Sequence, residues 1–200
     1  MAPRVFFYTS NPGKVHEVEL VLGDLGYDVV WRKAELIEPQ MDSLEKVAAF
    51  KLMGVPEPDS PAMVEDSGLF IPSLGGFPGV YSAYVLRTVG LDGVLRLVRG
   101  KDRSAEFRAV VGFRDDRGVQ LFTGAVRGRI ASSPRGKNGF GYDPIFIPTG
   151  YRRTTAEMAS EEKNRLSHRG IAVRKLAQWL AREGTRPPRR ARTASVRNVA

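Results

Sequence analysis

The densest group of chemically useful side chains lies in two segments of the second half of the chain. The first, Gly139–Pro144, is a loop in which two glycines and a proline enclose two aromatic rings and one carboxylate. Glycine lets the backbone approach a ligand closely or adopt a positive φ, and Pro144 fixes the exit of the loop. Phe140 can stack on a planar base, while Asp143 can accept hydrogen bonds from ring N–H groups. This segment suits the recognition of a base.

The second segment, Ser160–Arg169, is rich in donors of different reach. Lys163, Ser167, His168 and Arg169 fall within seven residues, and His168 is one of only two histidines in the chain. Such donors suit phosphate groups and polar base edges. A simpler alternative stays open for each segment. A glycine–aromatic loop is commonly a turn with core aromatics, and a Lys–His–Arg cluster that opens a helix is commonly a solvated surface.

A third candidate lies near the N-terminus, between a strand over Arg4–Tyr8 and an amphipathic helix. The connecting residues are Thr9, Ser10, Asn11, Pro12, Gly13 and Lys14. Pro12 suits the first helical position with Asn11 as the cap. Free N–H groups and the positive end of the helix dipole favour an anion there, and Lys14 adds a full charge. The glycine spacing is not that of a P-loop, so an ordinary strand–turn–helix connection remains the alternative.

Two adjacent carboxylates in the first half of the chain could bind a hard cation. Glu65 and Asp66 follow the apolar run Ala62–Val64, so we expect a strand that ends in two adjacent acids, with Ser67 beside them. Glu38 lies in a polar segment outside regular structure, where an acid is normally just solvated. A hard cation needs oxygen ligands, and an attacking water needs an acceptor that orients it, although acids at strand ends commonly just cap the next turn. Strand alternation predicts that Glu65 and Asp66 point to opposite faces.

The elements that must position these residues alternate between strands and helices. We predict strands at Arg4–Tyr8, Tyr27–Trp31, Ala62–Val64, Ser104–Arg114, Val119–Ile130 and Ile145–Ile147. We predict helices after Pro12, from a capping box of Asp42 and Glu45 to Leu52 or Met53, over Tyr81–Arg99 with a break at Gly90, and up to Leu180 after a break at Ser167 or Gly170. This order predicts an α/β fold with an elongated mixed β-sheet flanked by helices, in two lobes with a cleft between them.

Three connections have features of their own. Leu74–Ala83 is a Gly/Pro-rich loop, which we interpret as structural and as shaping the cleft beside Asp66. Asp115–Gly118 is interpreted as a hairpin turn rather than a metal site. Gly124 and Gly128, in the second hairpin strand, are predicted to mark bulges or close packing.

The composition is that of a globular protein, with 42% hydrophobic and 26% charged residues. There is no apolar run of about 18 residues and no secretory pattern, so we expect a cytoplasmic protein with no membrane partner. Without cysteine and with two histidines, a metal would be a hard cation such as Mg²⁺. The net charge is +9, of which +5 falls in Arg182–Ala200. We therefore expect one two-lobed domain over residues 1–184 and a basic, disordered tail over residues 185–200, which would touch nucleic acid only nonspecifically.

Taken together, the motifs resemble the inosine triphosphate pyrophosphatase family. The matching stretches are TSNPGK from Thr9, EDSG from Glu65, LGGFPGVYSA from Leu74, GFGYDPIFIPTGY from Gly139, TTAEM from Thr154 and SEEKNRLSHRG from Ser160. They occur in the family's order, and the resemblance as a whole spans residues from about 5 to 180. The resemblance implies hydrolysis of ITP, dITP and XTP to the nucleoside monophosphate and pyrophosphate, which removes non-standard purine nucleotides from the pool. It also implies a homodimer.

The resemblance assigns roles to individual residues. Asp66 becomes the catalytic acid that orients water, and Mg²⁺ is held by Glu38 and Asp66, with Glu65 as a further candidate ligand. The implied phosphate contacts are Thr9 to Lys14, Lys51, Ser67 and Lys163. Lys51 would otherwise be taken for an ordinary surface lysine. The implied base contacts are Phe140, Gly141, Tyr142, Asp143, His168 and Arg169.

Base selectivity would follow from hydrogen-bond donors. Hypoxanthine and xanthine carry an oxygen at C6 where adenine carries an amino group, so a donor from His168 or Arg169 would favour the first two. Two alternatives remain open. One is a pyrophosphatase of the same architecture that prefers modified pyrimidine or bulky nucleotides. The other is a nucleic-acid-binding protein that uses the tail and the rings of Phe140 and Tyr142, for which the carboxylates Glu38 and Asp66 would have no purpose.

Overall fold

The computed structural model describes residues 3–56 and 60–183. The predicted tail at residues 185–200 lies outside these described residues. The strands are β1 (Arg4–Tyr8), β2 (Asp28–Arg32), β3 (Ala62–Phe70), β4 (Ser104–Asp115), β5 (Gly118–Ile130) and β6 (Phe146–Pro148). The α-helices are α1 (Pro12–Leu22), α2 (Leu44–Met53), α3 (Ser82–Thr88), α4 (Gly90–Leu97), α5 (Ser160–Leu166) and α6 (His168–Glu183).

The strands form one mixed, open sheet in the order β2-β1-β3-β4-β5-β6. β1 pairs in parallel with β2 and β3, and the remaining pairs are antiparallel. The parallel β1–β3 ladder is short and joins Phe6 to Ala62 and Phe7 to Met63, whereas β3 pairs along its whole length with β4. The α/β fold with a mixed sheet is confirmed.

Within residues 3–56 and 60–183, the short β1–β3 ladder leaves one edge of β3 without a strand partner beyond Met63. At the far end of this edge an isolated bridge joins Phe70 to Pro78. The loop that contains Pro78 packs closely there, because a Cβ at Gly68 would lie 2.2 Å from the carbonyl oxygen of Gly79. Residues 64–69 of β3, called the open edge below, therefore face a gap between this loop and the segment that follows β1.

The core divides on one face of the sheet into two apolar clusters. Met63 belongs to the cluster under α1 and α6, and Leu69 to the cluster under α3 and α4. Between them on the same strand face stand Glu65 and Ser67. Burying each large apolar side chain contributes roughly 1.5–3 kcal/mol, so the two clusters hold their helices firmly on both sides of a polar strip. A third cluster, under α2, covers the opposite face.

Several local predictions are confirmed. Asn11 caps α1 and Pro12 is its first residue. The predicted break at Gly90 is present, since α3 ends at Thr88 and α4 begins at Gly90, and Ser167 separates α5 from α6. Gly124 marks close packing, because a Cβ there would lie 2.1 Å from the carbonyl oxygen of His168. Gly128 does so as well, at 2.3 Å from the carbonyl oxygen of Ile147.

Two local predictions are wrong. The strand predicted to end at Glu65 and Asp66 continues to Phe70, because β4 supplies hydrogen-bond partners along its full length. The cap of α2 is Ser43, whose hydroxyl accepts from the backbone N–H of Lys46, while Asp42 pairs with the Lys46 ammonium instead. Among the described residues no helix is long and apolar enough to cross a membrane.

Candidate active site

Glu65 and Asp66 stand on opposite faces of β3 at its open edge, as strand alternation predicts. Glu65 points toward α1 and α6, where Lys14 Nζ lies 2.7 Å from its Oε2. Asp66 points toward α2, where Lys51 Nζ lies 2.8 Å from its Oδ1. Both carboxylates are buried. Two charged sites therefore meet at one stretch of strand.

On the Glu65 face, buried charges alternate in sign along a chain of contacts. Arg169 donates from Nε to Glu65 at 3.1 Å and from Nη1 to Glu17 at 2.5 Å. Lys163 Nζ lies 2.7 Å from the other oxygen of Glu17 and 2.5 Å from Asp143. Because each cation is shared between two carboxylates, the positions of these five side chains depend on one another.

The electrostatics of this network favour fully ionised acids. Burial alone would raise the pKa of Glu65, but Arg169 and Lys14 outweigh it and lower the pKa to about 2. Burial of Glu17 is likewise outweighed by Arg169 and Lys163, which lower its pKa to about 2. The same pairs raise the pKa of Arg169 against the effect of burial. The network is therefore ionised at neutral pH.

Asp143 holds the loop that carries Phe140. Its Oδ2 accepts from the Phe140 backbone N–H at 2.8 Å, and its Oδ1 accepts from the Thr155 hydroxyl at 2.9 Å. Gly139 is required beside it, since this residue has φ +74° and a Cβ would lie 2.1 Å from Asp143 Oδ2. Together with the Lys163 contact, these bonds give Asp143 a positioning role in this structure, and its predicted contact with a base stays a prediction.

Phe140 brings the predicted segments together. Lys163 Nζ lies 4.7 Å and Arg169 Cζ 5.3 Å from the centroid of its ring. On another side the ring packs on Gly13, where a Cβ would lie 2.6 Å from a ring carbon. The ring is half-buried and so keeps an accessible surface. The N-terminal loop, the aromatic loop and the α5–α6 segment therefore meet at one side chain.

Next to this ring is a pocket with a volume of about 120 Å³. An apolar cavity of about 150 Å³ is large enough to bind benzene, so the pocket has the scale of a small ring system. Its lining combines apolar and charged side chains, namely Asn11, Lys14, Ser67, Gly68, Ser82, Ala83, Leu86, Phe107, Phe140, Gly141, Tyr142, Asp143, Lys163, His168 and Arg169. Ten of the predicted site residues thus line a single pocket.

His168 is held flat at the wall of the pocket. Its ring stacks on Phe107 with 4.6 Å between centroids and 7° between planes. Burial and the neighbouring Arg169 lower the pKa of His168 to about 3, despite the opposing effect of Glu65 and Glu17. The imidazole is therefore neutral at pH 7 and offers one donor and one acceptor nitrogen.

Tyr142 is buried, and its hydroxyl donates to the carbonyl oxygen of Ser82 at 2.8 Å. It anchors the aromatic loop to the start of α3, and its ring is not exposed to solvent. The nucleic-acid alternative therefore loses the second of its two stacking rings.

The N-terminal loop differs in one respect from the expectation of free N–H groups. Asn11 Oδ1 accepts from the backbone N–H groups of Gly13 at 2.9 Å and Lys14 at 3.4 Å. Trp31 Nε1 donates to the carbonyl oxygen of Thr9 at 2.9 Å and holds the start of the loop. An anion would therefore be attracted by the Lys14 charge and the helix dipole, with exposed Ser10 as a hydroxyl donor.

On the Asp66 face, Lys51 is buried rather than an ordinary surface lysine. Its Nζ lies 2.8 Å from Asp66 Oδ1 and 2.5 Å from Glu38 Oε1. Burial raises the pKa of Asp66, against the opposing effect of Lys51 and Lys14. Burial alone would lower the pKa of Lys51, but Asp66 and Glu38 outweigh it and raise the pKa.

This donor set fits a magnesium ion that completes its coordination from the substrate. Glu38 and Asp66 already direct one oxygen each at a common cation, the Lys51 ammonium. Within residues 3–56 and 60–183 no group of three or more acidic or histidine side chains is placed to hold a metal. Mg²⁺ is typically bound by one or two carboxylates together with waters and substrate phosphates, which matches a pair of this kind.

Comparison with known proteins identifies the family of the chain. The model of the Ham1 family matches residues 5–179 of the chain. The chain belongs to the Ham1 family. It is 53% identical over 182 residues to a dITP/XTP pyrophosphatase of Pyrococcus horikoshii, covering 88% of this chain and 96% of that protein. It is 50% identical over 179 residues to a dITP/XTP pyrophosphatase of Thermococcus kodakarensis, covering 88% and 97%.

A solved structure of a HAM1 protein from Coxiella burnetii has the same fold. It superimposes with a TM-score of 0.79 at 32% identity and covers 90% of this chain and 99% of that one. The family resemblance inferred from the motifs is therefore confirmed, and so is the α/β architecture of a Ham1 protein.

Sequence reasoning missed Glu17 and Phe107. Glu17 lies on the buried face of α1 between apolar neighbours, and its partners Arg169 and Lys163 are about 150 residues away along the chain. Because Lys163 and Arg169 are both buried, they require buried acidic partners, and this requirement is the one signal that indicates an acid such as Glu17. Phe107 reads as an ordinary core residue of β4, and nothing in its sequence position indicates that it stacks on His168.

Proposed function

We propose that this Ham1 protein hydrolyses ITP, dITP and XTP between the α- and β-phosphates and releases the nucleoside monophosphate and pyrophosphate. One observation carries the proposal. A ring-sized pocket beside Phe140 and a carboxylate–lysine cluster suited to a triphosphate lie on the two faces of the same open edge of β3. The two relatives named above, at 53% and 50% identity, are dITP/XTP pyrophosphatases and support dITP and XTP as substrates.

In this proposal the base stacks on Phe140 and its edge meets His168 and Arg169. Three of the five N–H groups of Arg169 bond to Glu65, Glu17 and Ser67 in the described part of the chain, so two remain for a ligand. An N–H donor directed at C6 forms a hydrogen bond with the oxygen of hypoxanthine or xanthine. Opposite the amino group of adenine the same donor has no acceptor and stays unpaired. Such a mismatch in a buried site discriminates by orders of magnitude.

The phosphates lie along the open edge, where residues of both faces can reach them. Lys14, Lys51 and Lys163 supply positive charge, and Ser67 supplies a hydroxyl donor. These groups stabilise the charge that develops on the leaving pyrophosphate, which is the main source of rate acceleration in phosphoryl transfer.

Asp66 orients and deprotonates the attacking water in this scheme. Its burial raises its pKa, which makes it a better proton acceptor than an exposed carboxylate. Glu38 and Asp66 would hold Mg²⁺, which when bound neutralises triphosphate charge and activates the phosphorus toward attack. Glu65 is occupied by Arg169 and Lys14 on the other face, so we assign it to the base side of the site.

A homodimer and a cytoplasmic location belong to the same proposal. The dimer is what the family resemblance implies, and sedimentation equilibrium of the full chain at micromolar concentration tests it. The cytoplasmic location is consistent with a sequence without cysteine, because such a chain needs no oxidising compartment to form disulfides.

The substrate assignment is tested by a panel of triphosphates. Pyrophosphate release is measured from ITP, dITP, XTP, ATP, GTP and a modified pyrimidine triphosphate, each with Mg²⁺ and with EDTA. The proposal expects Mg²⁺-dependent turnover of the first three and little of the others. Preferential turnover of the pyrimidine would favour the pyrophosphatase with another nucleotide preference, and equal turnover of ITP and ATP would refute the role of the base pocket.

A further inference from the structure

Lys51 occupies a position that a metal ion would need. Its ammonium group lies 2.5 Å from Glu38 Oε1 and 2.8 Å from Asp66 Oδ1, and its side chain is only 6% exposed. An ammonium has three N–H donors, so both carboxylates are served by one group. The cation between the two acids belongs to the protein itself.

A magnesium ion bound by the same pair would have to displace this ammonium. Mg²⁺ requires oxygen ligands at about 2.0–2.1 Å, so an ion shared by Glu38 and Asp66 would take the place of Lys51 Nζ. Two cations cannot share that place, since like charges a few ångströms apart in a partly buried site repel strongly. Metal and lysine therefore compete for one pair of carboxylates.

The surroundings allow such an exchange. Asp66 is fixed in β3, whereas Glu38 lies outside regular structure and its side chain is 54% exposed. Lys51 lies in the last turn of α2 on a long flexible side chain, close to the open edge of β3. Once released from the acids, its ammonium needs a new anionic partner, and a phosphate group at the open edge supplies one.

We propose that Lys51 is an internal stand-in for the metal, which leaves the Glu38–Asp66 pair when a divalent cation enters and moves to the substrate phosphates. This inference rests on the proposed function for its metal ligands. It predicts that the metal binds weakly by itself and more tightly with a phosphate ligand, because the phosphate accepts the displaced ammonium. By linkage, the metal raises phosphate affinity by the same factor.

The first test measures Mn²⁺ binding to the full chain by electron paramagnetic resonance, with and without inorganic pyrophosphate. Lys51→Met removes the competing ammonium and is expected to bind Mn²⁺ alone roughly tenfold or more tightly than the wild type. Pyrophosphate should then raise the Mn²⁺ affinity less than it does in the wild type. The matched control is Lys46→Met on the same helix, because Lys46 pairs with the exposed Asp42 and should behave as the wild type. Equal or weaker Mn²⁺ binding by Lys51→Met would overturn the inference.

A second test needs no variant, which matters if Lys51→Met fails to fold. Acetylation of lysines in the wild-type protein is followed by mass spectrometry with and without Mg²⁺. Mg²⁺ should increase the acetylation rate of Lys51 relative to Lys46, because the amine leaves its two carboxylates. An unchanged ratio would contradict the exchange.

Both readouts are independent of turnover, so the two proposals can fail separately. Displacement of Lys51 by metal in a protein that releases no pyrophosphate from ITP would refute the function and keep the exchange. Mg²⁺-dependent hydrolysis of ITP with no change at Lys51 would refute the exchange and keep the function.

Discussion

Replacing Glu17 by glutamine tests the buried network that supports the base pocket. Glu17 is only 5% exposed, and its carboxylate pairs with both Arg169 and Lys163. Its pKa is about 2 against an ordinary value of 4.5. Each pKa unit corresponds to roughly 1.4 kcal/mol, so loss of the charge is expected to cost about 3 kcal/mol of unfolding free energy at pH 7. Breaking a buried ion pair by removing one partner has a typical cost of the same size, about 3–5 kcal/mol.

The assay is urea denaturation of the full chain, followed by circular dichroism, for the wild type, Glu17→Gln and Glu19→Gln. Glu19 lies on the exposed side of the same helix, so its variant controls for the loss of one acid and is expected to stay within about 0.5 kcal/mol of the wild type. For a domain of this size, about 3 kcal/mol also corresponds to a fall in Tm of roughly 6–12 °C.

The pH dependence of unfolding provides a second test of the same prediction. The folded-state pKa of Glu17 is depressed, so its stabilising contribution is fully present above pH 4.5 and is lost as pH falls toward 2. The difference between wild type and Glu17→Gln should therefore be constant from pH 8 to pH 5. A difference below 1 kcal/mol at pH 7, or one that changes steadily over that range, would refute the view that this acid anchors both cations.

Three further predictions concern the walls of the site. His168 has its pKa lowered to about 3 and so resists protonation in the folded state, whereas the unfolded chain takes up the proton. From pH 7 to pH 5 the free energy of unfolding should therefore fall by about 2 kcal/mol in the wild type but not in His168→Asn. The control His16→Asn, at an exposed position, should follow the wild type in urea denaturation. Gly124→Ala should lower the free energy of unfolding by about 1–3 kcal/mol or more, because the added methyl group clashes with the backbone of α6. The control is Gly23→Ala, where φ is −61° and no atom lies near the added methyl group, so thermal unfolding should show no change or a gain of about 0.4–1 kcal/mol. Phe140→Leu should raise the KM for ITP roughly tenfold or more in steady-state kinetics, since stacking on a base contributes about 1–3 kcal/mol, and an unchanged KM would remove Phe140 from the base site.

Local signals in the sequence predicted most of the fold. The Asn11–Pro12 start of α1, the break at Gly90 and the hairpin around Asp115–Gly118 each follow from the conformational limits of one or two residues. The sequence could not show that β3 continues past Asp66, because that length depends on hydrogen bonds from β4, about 45 residues later. The cap of α2 is Ser43 rather than the predicted Asp42, because the carboxylate of Asp42 pairs with the side chain of Lys46 instead of the helix N-terminus.

The site was less accessible to sequence reasoning than the fold. Residue types and motif order pointed to Phe140, Lys163 and Arg169, and these do lie around one pocket. Their partners were not predictable, because an ion pair such as Arg169–Glu17 joins positions 152 residues apart and leaves no periodic pattern. Burial changes roles as well, so that Tyr142 serves as an anchor rather than as an exposed ring.

The most direct test of the central claim compares Asp66→Asn with the wild type and with Asp42→Asn. Asp42 is an exposed acid whose carboxylate pairs with the ammonium of Lys46, so its variant should keep wild-type turnover. Products from ITP and Mg²⁺ are identified by ³¹P NMR. We expect IMP and pyrophosphate from the wild type and from Asp42→Asn, and a loss of about 100-fold or more in kcat for Asp66→Asn. Release of orthophosphate by the wild type, or full activity of Asp66→Asn, would contradict it.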